Sequence, residues 1–139
     1  MRLPEQRLWD RMRKALGGKL RLERVENLVS VGDPDVTSTA PGNWVTRVEL
    51  KWAPLPKRRS TAVLGRDGLS LAQRNWHLEH KRFGVSYVLV GVESAIFTID
   101  GALHDEINSF TIDELREHSM ANNWEELHTL LDPSWKRKA

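Results

Sequence analysis

Residues 44–52 read WVTRVELKW, and this stretch decides the fold of the chain. From Arg47 onward charged and apolar residues alternate, which predicts a β-strand with one face in the core and a polar face opposite. The polar face carries Arg47, Glu49 and Lys51. Because side chains alternate along a strand, the carboxylate of Glu49 and the ammonium of Lys51 point to the same side. The sequence therefore predicts an acid and a base side by side on a strand.

A second β-prone segment, residues 36–39, lies just upstream. It follows GDPD (residues 32–35), and the turn sequence APGN separates it from the strand. Pro34 cannot donate to a β-ladder and biases the preceding residue away from helix, so it interrupts regular structure. We expect the two strands to form a hairpin, which places Asp35 and Glu49 on adjacent strands.

Helical patterns flank these strands. We predict helices over residues 4–16 and 70–84, one or two helices over residues 111–131, and further strands within residues 20–31, 85–92 and 94–99; capping-box patterns at Ser70 and Thr111 open the later helices. This order predicts an α/β fold with a central mixed β-sheet flanked by helices. A chain of 139 residues, 40% of them apolar, is expected to form one domain. We place its core in residues 1–105 and a C-terminal helical extension of the same domain in residues 106–139.

Composition narrows the kinds of site. The chain has no cysteine, so any metal must be held by oxygen or imidazole. No stretch approaches the roughly 18 consecutive apolar residues of a membrane span, and the start lacks the apolar part of a signal peptide, so we expect a cytoplasmic protein with no membrane partner. The net charge is only +2, yet basic residues cluster at 11–14, 57–59 and 136–138. Such clusters can meet phosphate, although solvated surface is their commoner role.

The main chemical signal combines Asp35 with the strand that carries Glu49 and Lys51. Two carboxylates on adjacent strands can share a hard divalent cation, and a neighbouring lysine can meet the attacking water or a phosphate. A Glu-x-Lys triplet alone is weak evidence, because a second one, residues 79–81, lies on a predicted helix where residues two apart point about 200° from each other. The alternative is an ordinary polar sheet face with a cross-strand ion pair.

The order of the motifs is more specific than any single one. RVEN (24–27), GDPDV (32–36), VELK (48–51) and Gln73 with Trp76 follow the order of the VRR-NUC family within the PD-(D/E)XK superfamily. Over about residues 5–101 the chain resembles the standalone, phage-type members of that family. The resemblance implies a restriction-endonuclease-like core, dependence on Mg²⁺ or Mn²⁺, homodimers, and action on branched DNA such as four-way (Holliday) junctions. It also implies a bacterial or phage source.

The resemblance assigns a role to each residue of the centre. Asp35 and Glu49 are expected to be metal ligands, and Lys51 to orient water and stabilise developing charge. Glu26 is the expected accessory acid beside the metal, with Glu5 on the first helix as a competitor for that role. The full set of expected metal ligands is Asp35, Glu49, Glu26 and the main-chain carbonyl of Leu50.

Polar residues around the centre are candidates for DNA contact. Gln73 either contacts the active centre or completes a capping box with Ser70, and both uses can hold together. Gln73, His77 and Lys81 repeat every four residues, which predicts one polar, solvent-exposed stripe on the helix. The candidate DNA-binding residues are Lys57, Arg58, Arg59, Arg47, His77 and Lys81.

Aromatic and histidine side chains near the motif have commoner structural uses. Trp44, Trp52 and Trp76 could stack on unpaired bases, although core packing is the more frequent role of tryptophan. His77 and His80 lack the partners of a zinc site, so we interpret them as exposed polar residues.

Two other functional classes compete with junction resolution. One is a non-catalytic DNA-binding module with the same fold, against which the set of Asp35, Glu49 and Lys51 argues. The other is a nuclease that acts on flaps, ends or linear DNA. The sequence does not separate this second class from a junction resolvase.

Overall fold

A five-stranded β-sheet organises the residues that the computed structural model describes, which are 4–25, 32 and 34–134. The strands lie in chain order, from β1 at one edge to β5 at the other. Only the β3–β4 pair is parallel among these strands. The strands are β1 (Arg21–Arg24), β2 (Val36–Ala40), β3 (Trp44–Ala53), β4 (Ser86–Val92) and β5 (Ala95–Asp100). The predicted mixed sheet and the β2–β3 hairpin are confirmed.

Helices cover both faces of this sheet. In the described part of the chain they are α1 (Pro4–Leu16), α2 (Leu71–His80), α3 (Ile112–His118) and α4 (Trp124–Leu131). The α2 helix lies in the crossover that parallel pairing of β3 and β4 requires. The predicted α/β fold with helices on both sides of a central sheet is confirmed. Within these same residues, no helix is long and apolar enough to cross a membrane.

Two apolar cores form between the sheet and the helices. The first contains Leu8 of α1, Leu50 of β3 and Leu127 of α4. The second contains Val88 of β4 and Leu115 of α3. All seven residues of β4 are buried, as predicted for a central strand that is covered on both faces. Because α3 and α4 each contribute to a core, the C-terminal segment packs against the sheet; its division from the rest at residue 105 stays a prediction.

Two predicted elements differ from the observed ones at their ends. The first strand covers only Arg21–Arg24 of the predicted range, and residues 26–31 lie outside the described part of the chain. The α2 helix ends at His80 instead of Gly84. The reason is a tight turn, in which the carbonyl of His80 accepts hydrogen bonds from the amides of Phe83 and Gly84. Lys81 consequently follows the helix instead of continuing its stripe.

Candidate active site

The carboxylate of Asp35 is fixed where β2 and β3 separate. The β2–β3 register ends at the pair Val36–Val48, and Pro34 has no N–H with which to extend the ladder. The side chain of Asp35 takes over at this point, because its Oδ2 accepts a hydrogen bond from the amide of Leu50 at 2.9 Å. Asp35 is thereby held against the middle of β3.

Glu49 is a buried acid next to this carboxylate. Its side chain is only 1% exposed, and its Oε1 has no hydrogen-bond partner in the described part of the chain. Burial, a hydrogen bond to Asp35 and the negative charge of Asp35 raise the pKa of Glu49 to about 10. Two carboxyl groups this close cannot both ionise without added positive charge. At neutral pH the carboxyl of Glu49 is therefore held in its neutral form.

Lys51 lies on the same face of β3, two positions after Glu49, and is half-buried. Its ammonium acts to lower the pKa values of Glu49 and of Glu5. Burial outweighs this attraction, since both carboxyl pKa values are raised overall. The charge of one lysine therefore does not offset the effect of burial on the pKa values of these two carboxyl groups.

Glu5, in the first turn of α1, belongs to the same electrostatic cluster. Burial raises the pKa of Glu5; Lys51 opposes this effect, and the negative charge of Asp35 adds to it. Between the two candidates for accessory acid, the structure brings Glu5 to the centre. Glu26 lies outside the described residues, so its role stays a prediction.

Asp67 is an acid near the centre that the sequence reasoning missed. Its charge raises the pKa of Glu5 further, and both side chains line a groove of about 370 Å³ together with Trp52. Asp67 lies in a single 3₁₀ turn, Gly65–Asp67, within the long loop after β3. No motif marks it, and the only available signal was the length of that loop.

The oxygen atoms at this centre suit a hard divalent cation. No three His, Asp or Glu side chains form a metal cluster within residues 4–25, 32 and 34–134. The candidate ligands are two carboxylates, Asp35 and Glu49, and the main-chain carbonyl of Leu50. The N–H and C=O of one strand residue point to the same side, so this carbonyl faces the side on which Leu50 donates to Asp35. The unpaired oxygen and the raised pKa of Glu49 fit such a site, because a bound cation would favour the ionised form of this carboxyl.

Gln73 completes a capping box at the start of α2. Its main-chain amide donates a hydrogen bond to the hydroxyl oxygen of Ser70 at 3.2 Å, and its side-chain Oε1 accepts a hydrogen bond from the Ser70 amide at 2.9 Å. This use of Gln73 is confirmed. Contact between Gln73 and the scissile phosphate stays a prediction.

The prediction that His77 lies on an exposed, DNA-facing stripe is wrong. His77 is fully buried, and its Nδ1 shares a hydrogen bond with Ser86 Oγ on β4 at 2.7 Å. Gly101 makes room for this contact, since a Cβ at that position would come within 2.7 Å of His77 Nδ1. The stripe therefore faces the sheet at its centre, and His77 cannot reach a phosphate. Burial, together with nearby His104, lowers the pKa of His77 to about 4.

The remaining basic candidates occupy different environments. Arg47 is half-buried, with its guanidinium 5.4 Å from the ring centre of Trp76. Arg59 forms two hydrogen bonds of 2.7 Å with the carboxylate of Asp113. Lys57, Arg58 and Lys81 are exposed, as Arg59 is. DNA contact by these residues stays a prediction.

Comparisons with known proteins find similarity among solved structures. No family model and no curated protein matches the sequence. Among solved structures, the chain is similar to Hjc of Archaeoglobus fulgidus, a Holliday junction resolvase from an archaeal hyperthermophile. The identity is 17%, the match covers 71% of this chain and 75% of that chain, and the TM-score is 0.46. Values this low carry no argument about function, which must come from the site itself.

Proposed function

We propose that this chain is a metal-dependent endodeoxyribonuclease that hydrolyses phosphodiester bonds in branched DNA, as a VRR-NUC-like member of the PD-(D/E)XK superfamily. The single observation that carries the proposal is the carboxyl pair of half-buried Asp35 and fully buried Glu49 beside Lys51. Burying two acids together costs folding free energy, and a site that only bound DNA would gain nothing from acids facing phosphate. A role in chemistry explains why this arrangement is present.

Asp35, Glu49 and the carbonyl of Leu50 would hold Mg²⁺ or Mn²⁺. When bound, the cation supplies positive charge for the phosphate oxygens and favours ionisation of the attacking water. The oxygen of that water attacks phosphorus, one P–O bond to a sugar breaks, and the leaving oxygen takes up a proton. Lys51 stabilises the negative charge that develops on the phosphate and orients the water. Glu5 is the accessory acid beside the pair.

Branched DNA is the substrate that the resemblance to the VRR-NUC family implies. A domain of this size devotes most of its chain to the sheet and its helices, which leaves little for reading base sequence. We therefore expect this domain to recognise the shape of the DNA and not its base sequence. A two-fold homodimer would set two active centres against two strands, as symmetric cutting of a four-way junction requires.

The proposal is tested with a labelled four-way junction and its matching linear duplex. We expect the native chain to make paired cuts in the junction with Mg²⁺ and none in EDTA. Lys51→Ala should remove cleavage while junction binding in EDTA stays near the native level. Flap, splayed-arm and linear substrates in the same assay would reveal a nuclease with a different substrate.

A matched control is Lys19→Ala, which removes an exposed lysine in the turn after α1. This variant should cut the junction at the native rate. Full activity of Lys51→Ala would remove that residue from the mechanism. If the pure native chain binds DNA and cuts none of the substrates with either Mg²⁺ or Mn²⁺, the protein is a binding module.

A further inference from the structure

A second groove adjoins the groove lined by Glu5 and Asp67. It measures about 570 Å³ and shares Pro4 and Trp52 with its neighbour. Its other walls come from α1 and from the turn between β4 and β5. Trp52 follows Lys51 in β3, and because side chains alternate along a strand its ring lies on the face opposite Glu49 and Lys51; it joins this groove to the one lined by Glu5 and Asp67.

The indole of Trp52 is anchored on one side and open on the other. A Cβ at position 91 would come within 3.0 Å of Trp52 Cδ1 and 3.3 Å of Leu8 Cδ1, so Gly91 makes room for the ring against the sheet. The side chain of Trp52 remains partly exposed and lines both grooves. A fixed aromatic wall beside open space is what an unpaired base needs for stacking.

The charged residues of this groove differ in their availability. The guanidinium of Arg11 donates to the carbonyl of Ser94 at 2.9 Å, and the carboxylate of Glu93 accepts a hydrogen bond from the amide of Leu55 at 3.2 Å. Both groups are used to hold the walls together. Arg7 is exposed and makes no hydrogen bond or ion pair with any residue of the described ranges. Its positive charge is available to a phosphate.

We propose that this groove takes an unpaired strand at a DNA branch, with one base stacked on Trp52 and a backbone phosphate on Arg7. The inference rests on the proposed function, because the groove shares the ring of Trp52 with the groove lined by Glu5, the proposed accessory acid. An aromatic platform next to a cation is the combination that binds single strands without reading their sequence. Bases inside a duplex are already stacked on each other and cannot use the ring in this way.

The first test measures binding in EDTA, where hydrolysis does not interfere. The ligands are a splayed-arm DNA and a fully paired duplex that contains the same arm sequence. Trp52→Leu keeps an apolar side chain against Leu8 and removes the aromatic face. We expect this variant to lose on the order of tenfold in affinity for the splayed arm and almost nothing for the duplex.

The control for Trp52→Leu is Trp44→Leu. Trp44 is 47% exposed and lines a different groove, with Phe83 and Val85. The Trp44→Leu variant should bind both DNAs as the native chain does. A 2-aminopurine base, moved along the unpaired arm, should be quenched at one position by the native chain and by Trp52→Phe, but not by Trp52→Leu. Quenching that survives in Trp52→Leu, or is lost in Trp44→Leu, would overturn the stacking role.

The second test uses Arg7→Ala, whose exposed side chain is not needed for packing. Removing one phosphate contact to a single strand should reduce the slope of log affinity against log salt by about 0.7. Arg21→Ala is the control, since the guanidinium of Arg21 is already paired with Glu23 at 2.8 Å. Equal salt slopes for the native chain and Arg7→Ala would overturn the assignment of Arg7 even if Trp52→Leu failed to fold.

These binding tests are independent of cleavage. If the native chain cuts DNA but both Trp52→Leu and Arg7→Ala bind the splayed arm normally, only this inference fails. If the native chain cuts no DNA but the two variants lose affinity as expected, the proposed function fails and the strand groove stands.

Discussion

Glu49 in β3 and His77 in α2 are both buried titratable side chains, yet their surroundings differ. Glu49 is 1% exposed and His77 is 0% exposed. Burial raises the pKa of Glu49 to about 10 and lowers that of His77 to about 4, so each is held neutral at pH 7. The partner of His77 is the neutral hydroxyl of Ser86, whereas the partner of Glu49 is another acid, Asp35.

The difference separates a structural polar group from a functional one. A neutral imidazole that shares a hydrogen bond with a hydroxyl is compatible with a buried site, although its Nε2, like Oε1 of Glu49, has no hydrogen-bond partner among the described residues. A carboxyl that meets a second carboxyl remains costly until positive charge arrives. The environment, and not burial itself, therefore marks Glu49 as the candidate for chemistry and His77 as part of the packing.

Glu49→Gln should produce the largest effect, because it removes the acid and keeps its shape. We expect cleavage to fall by about a hundredfold or more. The free energy of unfolding at pH 7 should rise by about 1–3 kcal/mol, since glutamine has no ionised form that favours the unfolded chain. Junction cleavage and urea unfolding measure the two effects.

The pH dependence of the same variant tests the sign. The folded-state pKa of Glu49, about 10, lies above the ordinary value of 4.5, so its contribution to stability is complete below 4.5 and is lost as pH rises toward 10. The stability gap between Glu49→Gln and the native chain should widen over that range. Glu79→Gln, a change on the exposed side of α2, should show no such gap. A stability gap between Glu49→Gln and the native chain that stays constant with pH would contradict the raised pKa of Glu49.

Binding of Mg²⁺ or Mn²⁺ should offset the folding free energy that the carboxyl pair Asp35–Glu49 costs. At a hundredfold excess over its Kd, the cation should stabilise the native chain by about 2.7 kcal/mol and release a proton from the pair. Thermal unfolding with metal and with EDTA measures the stabilisation. Titration calorimetry in two buffers that differ in their ionisation enthalpy measures the release of the proton. Asp35→Asn should lose both responses. An equal rise in Tm for that variant would place metal binding elsewhere.

Lowering the pH should destabilise the native chain because His77 becomes protonated, and this effect is smaller than those above. Its folded-state pKa of about 4 lies below the ordinary 6.5, so its contribution is complete above 6.5 and is lost as pH falls toward 4. The native chain should lose roughly 2–3 kcal/mol from this group over that window. His77→Gln should flatten the dependence and leave cleavage at neutral pH close to native. Strongly reduced cleavage by a stably folded variant would give His77 a catalytic part.

The smallest effect is expected at an exposed charge pair. Arg59 and Asp113 form hydrogen bonds of 2.7 Å at the surface, where water screens the charges. Arg59→Ala should leave the unfolding midpoint almost unchanged. Its effect on DNA affinity should also be smaller than that of Arg58→Ala, because Arg59 already has a partner. Equal losses of affinity would show that the pair opens to bind phosphate.

The fold was predictable wherever a local pattern decides the structure. Alternation in residues 44–52 predicted β3, and the capping boxes at Ser70 and Thr111 correctly marked the starts of α2 and α3. The end of α2 was not predictable, since it depends on a turn that closes on the carbonyl of His80 and not on Gly84 alone. Element ends depend on such competing hydrogen bonds more than on periodicity.

The candidate site was predictable in part for the same reason. The spacing of Asp35, Glu49 and Lys51 requires only a hairpin and the alternation of one strand, and the structure brings these residues together. The positions of Asp67 and His77 depend on how a loop and a helix pack against the sheet. No short-range pattern in the sequence carries that information.

The packing of α1 against α4 has a consequence for how the protein forms. Both helices enter the same core, although the whole sheet separates them in the chain. That core cannot close until α4 has been synthesised, and such long-range contacts slow folding. Glu5 lies on α1, so its carboxyl joins the acid cluster around Glu49 only once α1 has packed against β3, the strand that carries Glu49.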